Sequence, residues 1–103
     1  MEMELWRMGA CELADAICGK KVSSREVVDA HLARIEAVTP AVKAVTVVLA
    51  EQARTAADVA DRMVAAGAEL GPLHGVPMTV KENIDLAGSA TTQGLVAMKD
   101  AVP

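Results

Sequence analysis

The sequence predicts an α/β fold in which helices pack against a sheet that the chain does not complete. Apolar residues recur at helical spacing over residues of about 10–18, 23–38 and 51–66, which predicts three helices. Short, β-branched apolar runs at about 45–49 and 78–81 alternate with those helices and predict buried strands. A pair of strands with no third neighbour is marginal in water, so we expect no complete domain in residues 1–103.

The first helix is expected to begin near Ala10 and to stop at Gly19, a residue type common at helix ends. Cys11 and Cys18 both fall within it, separated by roughly 10 Å along the helix axis. That distance is too long for a disulfide within one regular helix. We therefore expect two buried, reduced thiols, and no metal site, because metal binding needs more ligands at short spacing.

The second helix has the clearest start signal in the sequence. Ser23 is a good N-cap and Glu26 stands three residues later, which predicts a capping box. His31 lies on the apolar face of this helix and is expected to be a core or boundary residue rather than a ligand. Pro40 is expected to end the helix, and Gly67 to end the alanine-rich third helix.

Composition and charge exclude several classes of function. The chain carries 14 Asp and Glu against 10 Lys and Arg, and Trp6 is its only aromatic residue. With no basic stripe or aromatic stacking set, a nucleic-acid partner is not expected. No apolar run is long enough to span a bilayer. Glu2 and Glu4 stand where a secretory signal would be positively charged, so a cytoplasmic location is expected.

Lys81 is the candidate catalytic residue, because it follows an apolar strand and precedes a polar loop. Functional groups gather at the carboxyl ends of strands in open α/β sheets. Partly apolar surroundings disfavour a charged amine, which is how a lysine becomes a usable general base near neutral pH. From position alone, the alternative is an ordinary solvated lysine at a strand end.

Other polar residues have simpler interpretations. His74 sits in a Gly-Pro turn and is expected to bond the backbone and hold that turn. The acid pairs Asp58/Asp61 and Glu82/Asp85 are expected to be solvated helix and loop charges rather than catalytic dyads.

Three consecutive motifs together indicate a family. Residues 71–77 spell Gly-Pro-Leu-His-Gly-Val-Pro, residues 81–85 spell Lys-Glu-Asn-Ile-Asp, and residues 91–94 spell Thr-Thr-Gln-Gly. This succession resembles the block that carries the catalytic lysine in amidase-signature enzymes. The family pattern is Gly-Pro-Leu-His-Gly-Val-Pro, a short apolar stretch, Lys-Asp-Asn-Ile-Asp, then Thr-Thr and Gly. The upstream helices and first strand look similar as well, so the resemblance covers essentially the whole chain.

The resemblance implies a fold and a reaction. It implies a large mixed α/β sheet covered by helices, of which this chain would supply outer helices and the first strands. It implies amide hydrolysis by a serine nucleophile, with a second serine, preceded by a cis peptide bond, that relays the proton to a lysine. Lys81 matches that lysine, and no cofactor or metal is implied. Such a relay replaces the histidine of more familiar triads.

Departures from the family pattern concern the serines. The family places its serines in a later Gly- and Ser-rich segment, whereas this chain has only Ser23, Ser24 and Ser89. Glu82 replaces the usual Asp, and Leu95 stands where a Ser is usual. We therefore expect a truncated N-terminal portion of an amidase that carries the lysine alone and is inactive by itself, which leaves open whether this chain is an enzyme.

Two alternatives remain at the level of sequence. One is a fragment of the glutaminase subunit of a tRNA-dependent amidotransferase, although the upstream helices look more like those of a general amidase. The other is a non-catalytic interaction module derived from the family. The expected partners are a small-molecule amide in the full-length enzyme, and either a complementing chain or a second copy of this one, because exposed apolar faces and open strand edges associate. The substrate's identity is not encoded in this segment.

Overall fold

The described part of the chain is helical. The structure, a computed structural model, describes residues 4–81, 83–84 and 86–87. None of the helices within these residues is long and apolar enough to cross a membrane. The elements, in chain order, are a short 3₁₀ helix at Leu5–Arg7 and the α-helices α1 at Ala10–Cys18, α2 at Ser24–Val42 and α3 at Ala50–Ala65.

Helix α1 buries one face and exposes its cysteines. Leu13 and Ile17 are almost fully buried and form the core together with Val27 of α2. Cys11 and Cys18 are free and exposed, so the prediction of buried thiols is wrong. At about 100° per residue, both cysteines point away from the face that carries the core residues.

The end of α1 uses a lysine where a glycine is usual. Gly19 is the C-cap with an ordinary φ of −79°, whereas Lys20 takes the left-handed conformation with φ of +60°. The amide of Lys20 donates to the Ile17 carbonyl at 3.1 Å, and that of Lys21 to the Ala16 carbonyl at 2.9 Å. This is a Schellman-type ending with a strained residue at its left-handed position.

The predicted start of α2 is confirmed. The Ser23 hydroxyl accepts from the Glu26 amide at 3.0 Å, and the Glu26 carboxylate accepts from the Ser23 amide at 3.0 Å. This reciprocal pair satisfies two amides that the first helical turn would otherwise leave free. His31 is half-buried and its Nδ1 lies 2.7 Å from the Val27 carbonyl oxygen, which confirms its expected structural role.

The predicted end of α2 is wrong. The helix continues through Pro40 to Val42, rather than ending near Val38. Proline removes one helical hydrogen bond but does not remove those of its neighbours. The Thr39 hydroxyl donates to the Ile35 carbonyl, one turn earlier in the helix. The helix ends only at Lys43, which is left-handed with φ of +51°.

Helix α3 packs against α2 through small residues. Ala57 and Ala60 are its buried positions, and side chains of this size let two helix backbones approach closely. Gly67, with φ of +71°, follows α3. Its amide and that of Ala68 bond carbonyls in the last turn, at 3.2 and 3.1 Å. Gly67 therefore closes α3 as the sequence indicates.

Neither predicted strand is present among the described residues. Residues 45–49 and 78–81 carry no strand assignment, and Leu86 alone among the described residues carries an isolated bridge. Apolar side chains in these segments remain in solvent, with Val47 55% and Met78 81% exposed. A strand is stabilised by ladders to its neighbours. The described residues provide no sheet for either segment to join.

Candidate active site

A tight turn precedes the candidate lysine. The amide of His74 donates to the Gly71 carbonyl at 3.2 Å, and that of Val76 donates to the Leu73 carbonyl at 3.2 Å. These two bonds form overlapping turns, and Gly75 takes the left-handed conformation with φ of +79°. Glycine adopts that conformation without the cost that a Cβ atom would add.

The turn is bonded to the helices on both sides. The buried Ser24 hydroxyl, on a residue only 1% exposed, donates to the Gly75 carbonyl at 2.7 Å. His74 Nε2 lies 2.9 Å from the Ala60 carbonyl oxygen, so this nitrogen carries the proton and donates. The prediction that His74 bonds backbone is confirmed, and its partner is the backbone of α3. The turn is therefore bonded to both α2 and α3.

Asp61 joins α3 to the first turn of α2. Its carboxylate accepts from the Ser24 amide at 2.7 Å and from the Arg25 amide at 3.1 Å. Those amides have no partner within the helix, and the positive end of the helix dipole attracts a carboxylate. Asp61 is half-buried, so the expectation of a solvated helix charge is wrong for this residue.

A charge network extends the same contact. Arg25 Nη1 lies 2.9 Å from Asp58, Arg25 Nε lies 3.2 Å from Asp29, and Arg54 Nε lies 2.9 Å from Asp29. The hydrogen bond from Arg54, assisted by that from Arg25, holds the pKa of Asp29 below its usual value. The hydrogen bond to Asp58 raises the pKa of Arg25.

Sequence reasoning missed this network and interpreted Asp58 as a solvated charge. The available signal was the i, i+3 spacing of Asp58 and Asp61 on one helix face, since residues three apart are neighbours there. The ion pairs are roughly half exposed, with side-chain exposures of 41–46%, so water screens them strongly.

Lys81 borders an open, largely apolar groove. The groove has a volume of about 460 Å³ and runs between the two segments that were predicted as strands. Lys81 itself is exposed, and its carbonyl accepts from the Ile84 amide at 3.0 Å. The predicted burial at a strand end is therefore not what the structure displays. The apolar residues around the groove include Ile35, Val47, Val48, Met78, Val80 and Ile84.

Neither described serine is placed as a nucleophile. Ser23 caps α2, and the hydroxyl of Ser24 is committed to the Gly75 carbonyl, which confirms that both belong to a helix start. Among the described residues, no group of three or more His, Cys, Asp or Glu could hold a metal ion. Other residues named from the sequence lie outside the described residues, namely Glu82, Asp85, Ser89, 91–94 and Leu95.

Several known proteins are similar to this chain in sequence. The amidase family model matches residues 26–103. An indoleacetamide hydrolase from Bradyrhizobium diazoefficiens is 45% identical over 98 residues, which is 95% of this chain and 19% of that protein. A glutamyl-tRNA(Gln) amidotransferase subunit from Acidothermus cellulolyticus is 45% identical over 100 residues, which is 97% of this chain and 20% of that protein. The chain thus spans about a fifth of the length of these relatives.

The fold matches as well as the sequence. A solved structure, described as a vestigial protein complex that reveals the evolutionary origins of an s-triazine catabolic enzyme, superposes with a TM-score of 0.88. It is 33% identical, and the match covers 93% of this chain and 21% of that chain. Since the family model spans most of the sequence and the helical arrangement agrees with a solved relative, the chain belongs to the amidase family.

Proposed function

We propose that this chain supplies the proton-accepting lysine, Lys81, of a Ser–Ser–Lys amide hydrolase and is inactive without the two serines of that triad. The observation that supports this is the motif block at residues 71–85, which lies inside the region matched by the amidase family. Lys81 corresponds there to the lysine of the family pattern.

The proposed reaction is acyl transfer through a hydroxyl relay. A serine outside this chain attacks the amide carbonyl while a second serine takes its proton and passes its own to the neutral Lys81 amine. The proton then returns by the same route to the leaving nitrogen, and water hydrolyses the acyl-enzyme. Backbone amides beside the nucleophile would stabilise the oxyanion, a large part of the barrier reduction. The described residues contribute the lysine and its support.

The α/β character belongs to the same proposal. Residues 45–49 and 78–81 lie beside one groove and expose valine and methionine side chains. These segments would become strands of a mixed sheet when neighbouring strands of a longer or complementing chain pair with them. Burial of Met78 and Val47 would then contribute about 25 cal/mol per Å² of apolar surface removed from water. Isolated, the same apolar surface favours self-association.

A glutaminase role is the second candidate. The indoleacetamide hydrolase and the amidotransferase relative are each 45% identical to this chain. The sequence of this segment therefore does not separate a free small amide from glutamine as the substrate. In either case the proposed substrate is a carboxylic amide, and the proposed setting is the cytoplasm. The free, exposed Cys11 and Cys18 support that setting, because unpaired thiols persist in reducing compartments.

A chimera tests the catalytic proposal. Residues 1–103 would replace the matching segment of the Bradyrhizobium indoleacetamide hydrolase, and hydrolysis of indoleacetamide would be measured. We expect the chimera to be active and Lys81→Met to lower kcat by about 10²–10⁴-fold, the range for loss of a general base. Lys21→Met is the matched control, because Lys21 is also exposed and is not among the residues that line the groove. An active chimera whose kcat survives Lys81→Met would disprove the proposal.

The isolated chain offers two further checks. It should not hydrolyse indoleacetamide or glutamine, and measurable turnover by the purified 103-residue protein would refute the need for added serines. On size-exclusion chromatography it should associate as concentration rises. If the chain is instead a non-catalytic interaction module, its size should not depend on concentration and it should unfold cooperatively on heating. The chimera should then have no activity.

A further inference from the structure

We propose that Ser24 and Asp61 are positioning residues for Lys81. This inference rests on the proposed function. The Ser24 hydroxyl bonds the turn at residues 71–77, and the Asp61 carboxylate holds the first turn of α2, which carries Ser24. Through that turn, the two residues set where the segment that ends at Lys81 leaves the helical layer. Neither residue contacts the proposed reacting atoms.

The first observation is the unusual partner of the Ser24 hydroxyl. A serine in the first turn of a helix ordinarily bonds local backbone or water. The Ser24 hydroxyl instead donates to the Gly75 carbonyl at 2.7 Å, across 51 residues of sequence. With Ser24 only 1% exposed, no water can replace that bond easily. A buried hydroxyl or carbonyl without a hydrogen-bond partner destabilises the fold. The Ser24 hydroxyl and the Gly75 carbonyl are therefore expected to stay bonded.

The second observation is that Asp61 holds the first turn of α2, which carries Ser24. Its two carboxylate oxygens accept the amides of Ser24 and Arg25 at 2.7 and 3.1 Å. The neighbouring carbonyl of Ala60 accepts the His74 ring N–H at 2.9 Å. Consecutive residues of α3 therefore hold the start of α2 and the turn at once. The helices and the turn form one hydrogen-bonded unit.

The third observation is the closeness of the turn to α2. A Cβ atom placed on Gly75 would lie 3.1 Å from Ser24 Cβ and 3.3 Å from Ile17 Cγ2. The turn thus sits in van der Waals contact with the core and has little freedom to shift. Only residues 76–80 separate Gly75 from Lys81, and an extended chain advances about 3.3 Å per residue. A displacement of the turn is therefore passed along a short segment to the lysine.

Two variants of adjacent serines separate positioning from simple destabilisation. Ser24→Ala removes the bond to the turn, whereas Ser23→Ala removes the side-chain N-cap bond of the same helix and leaves the bond from Ser24 to the turn in place. In the chimera, amide hydrogen exchange of His74 and Val76 should accelerate in Ser24→Ala by at least about tenfold more than in Ser23→Ala, because local opening sets the exchange rate. Equal exchange in the two variants would overturn the proposal.

Kinetics of the chimera give the readout that a merely structural role would not move. Ser24→Ala should lower kcat by about 10–100-fold with little change in KM, because a misplacement of ~1 Å can cost that much. Asp61→Asn should shift kcat in the same direction and provides a second variant if the first folds poorly. Ser23→Ala should leave kcat unchanged.

The outcomes distinguish this inference from the function it rests on. A loosened turn with unchanged kcat would overturn positioning while Lys81 keeps its proposed role. A chimera whose kcat survives Lys81→Met would remove both proposals together. A fall in kcat in Ser23→Ala equal to that in Ser24→Ala would also overturn positioning, since general weakening of α2 would then explain the loss.

Discussion

Alanine substitution at two left-handed glycines measures how closely the turn at residues 71–77 packs against α2. Gly75 and Gly67 have similar φ angles, +79° and +71°. Alanine at either position must adopt the left-handed conformation, at about 1–2 kcal/mol. At Gly67 nothing lies within 4 Å of the added Cβ, whereas at Gly75 the Cβ would lie 3.1 Å from both Cβ and Oγ of Ser24. Crowding of that kind adds about 1–3 kcal/mol.

The matched pair isolates the contact energy from the backbone strain. Gly75→Ala should therefore lower the free energy of unfolding by about 1–3 kcal/mol more than Gly67→Ala does. Both substitutions reduce the entropy of the unfolded chain alike, so that contribution cancels in the difference. Urea unfolding of the two variants in the chimera, followed by far-ultraviolet circular dichroism, gives that difference. Equal destabilisation by the two variants would refute the close seating of the turn on Ser24.

Three further predictions concern the ends and charges of the helices. Lys20→Gly should raise the free energy of unfolding by about 0.5–1 kcal/mol, because relief of the left-handed strain exceeds the added unfolded-state entropy. Asp61→Asn should lower it by about 1–3 kcal/mol, since one helix amide loses its acceptor. The lowered pKa of Asp29 means that its stabilising contribution is complete above the ordinary value of 3.8 and is lost as pH falls below that value; Arg54→Ala should weaken this acid dependence.

Each of these predictions has a result that contradicts it. A loss of stability in Lys20→Gly would mean that the left-handed lysine is not strained. An unchanged urea midpoint in Asp61→Asn would mean that the carboxylate does not support the start of α2. The third test compares the stability of the parent and Arg54→Ala from pH 5 to pH 2 at low salt, where exposed ion pairs are least screened. Identical profiles would contradict the role assigned to the pair of Arg54 and Asp29.

The helices could be predicted from the sequence because the residues that start and end a helix lie within one turn of its ends. The capping box at Ser23 and the left-handed glycine at the end of α3 each depend on residues within one helical turn. Pro40 shows where a local rule fails. Proline weakens a helix without forbidding it, and α2 continues for another two residues, to Val42. The strands were not accessible in the same way, because a ladder depends on partners far away in sequence or on another chain.

The candidate site was only partly accessible for a related reason. Lys81 was found through a contiguous motif. The bond between Asp61 and Ser24 was missed because it is made across 37 residues, and the spacing of Asp58 and Asp61 indicates a shared helix face without indicating its distant partner. An acidic residue on an amphipathic helix is usually solvated, and only the packing of α3 against α2 reveals that this one faces free amides.

Chemical rescue of Lys81→Ala in the chimera is the most direct test of the central claim that the Lys81 amine accepts the proton in amide hydrolysis. Hydrolysis of indoleacetamide would be followed while ethylamine is titrated at constant ionic strength. The expected result is a low rate for the variant that rises with the concentration of neutral ethylamine, while the unsubstituted chimera does not respond. Full activity of Lys81→Ala without added amine would contradict the assignment of Lys81 as the base.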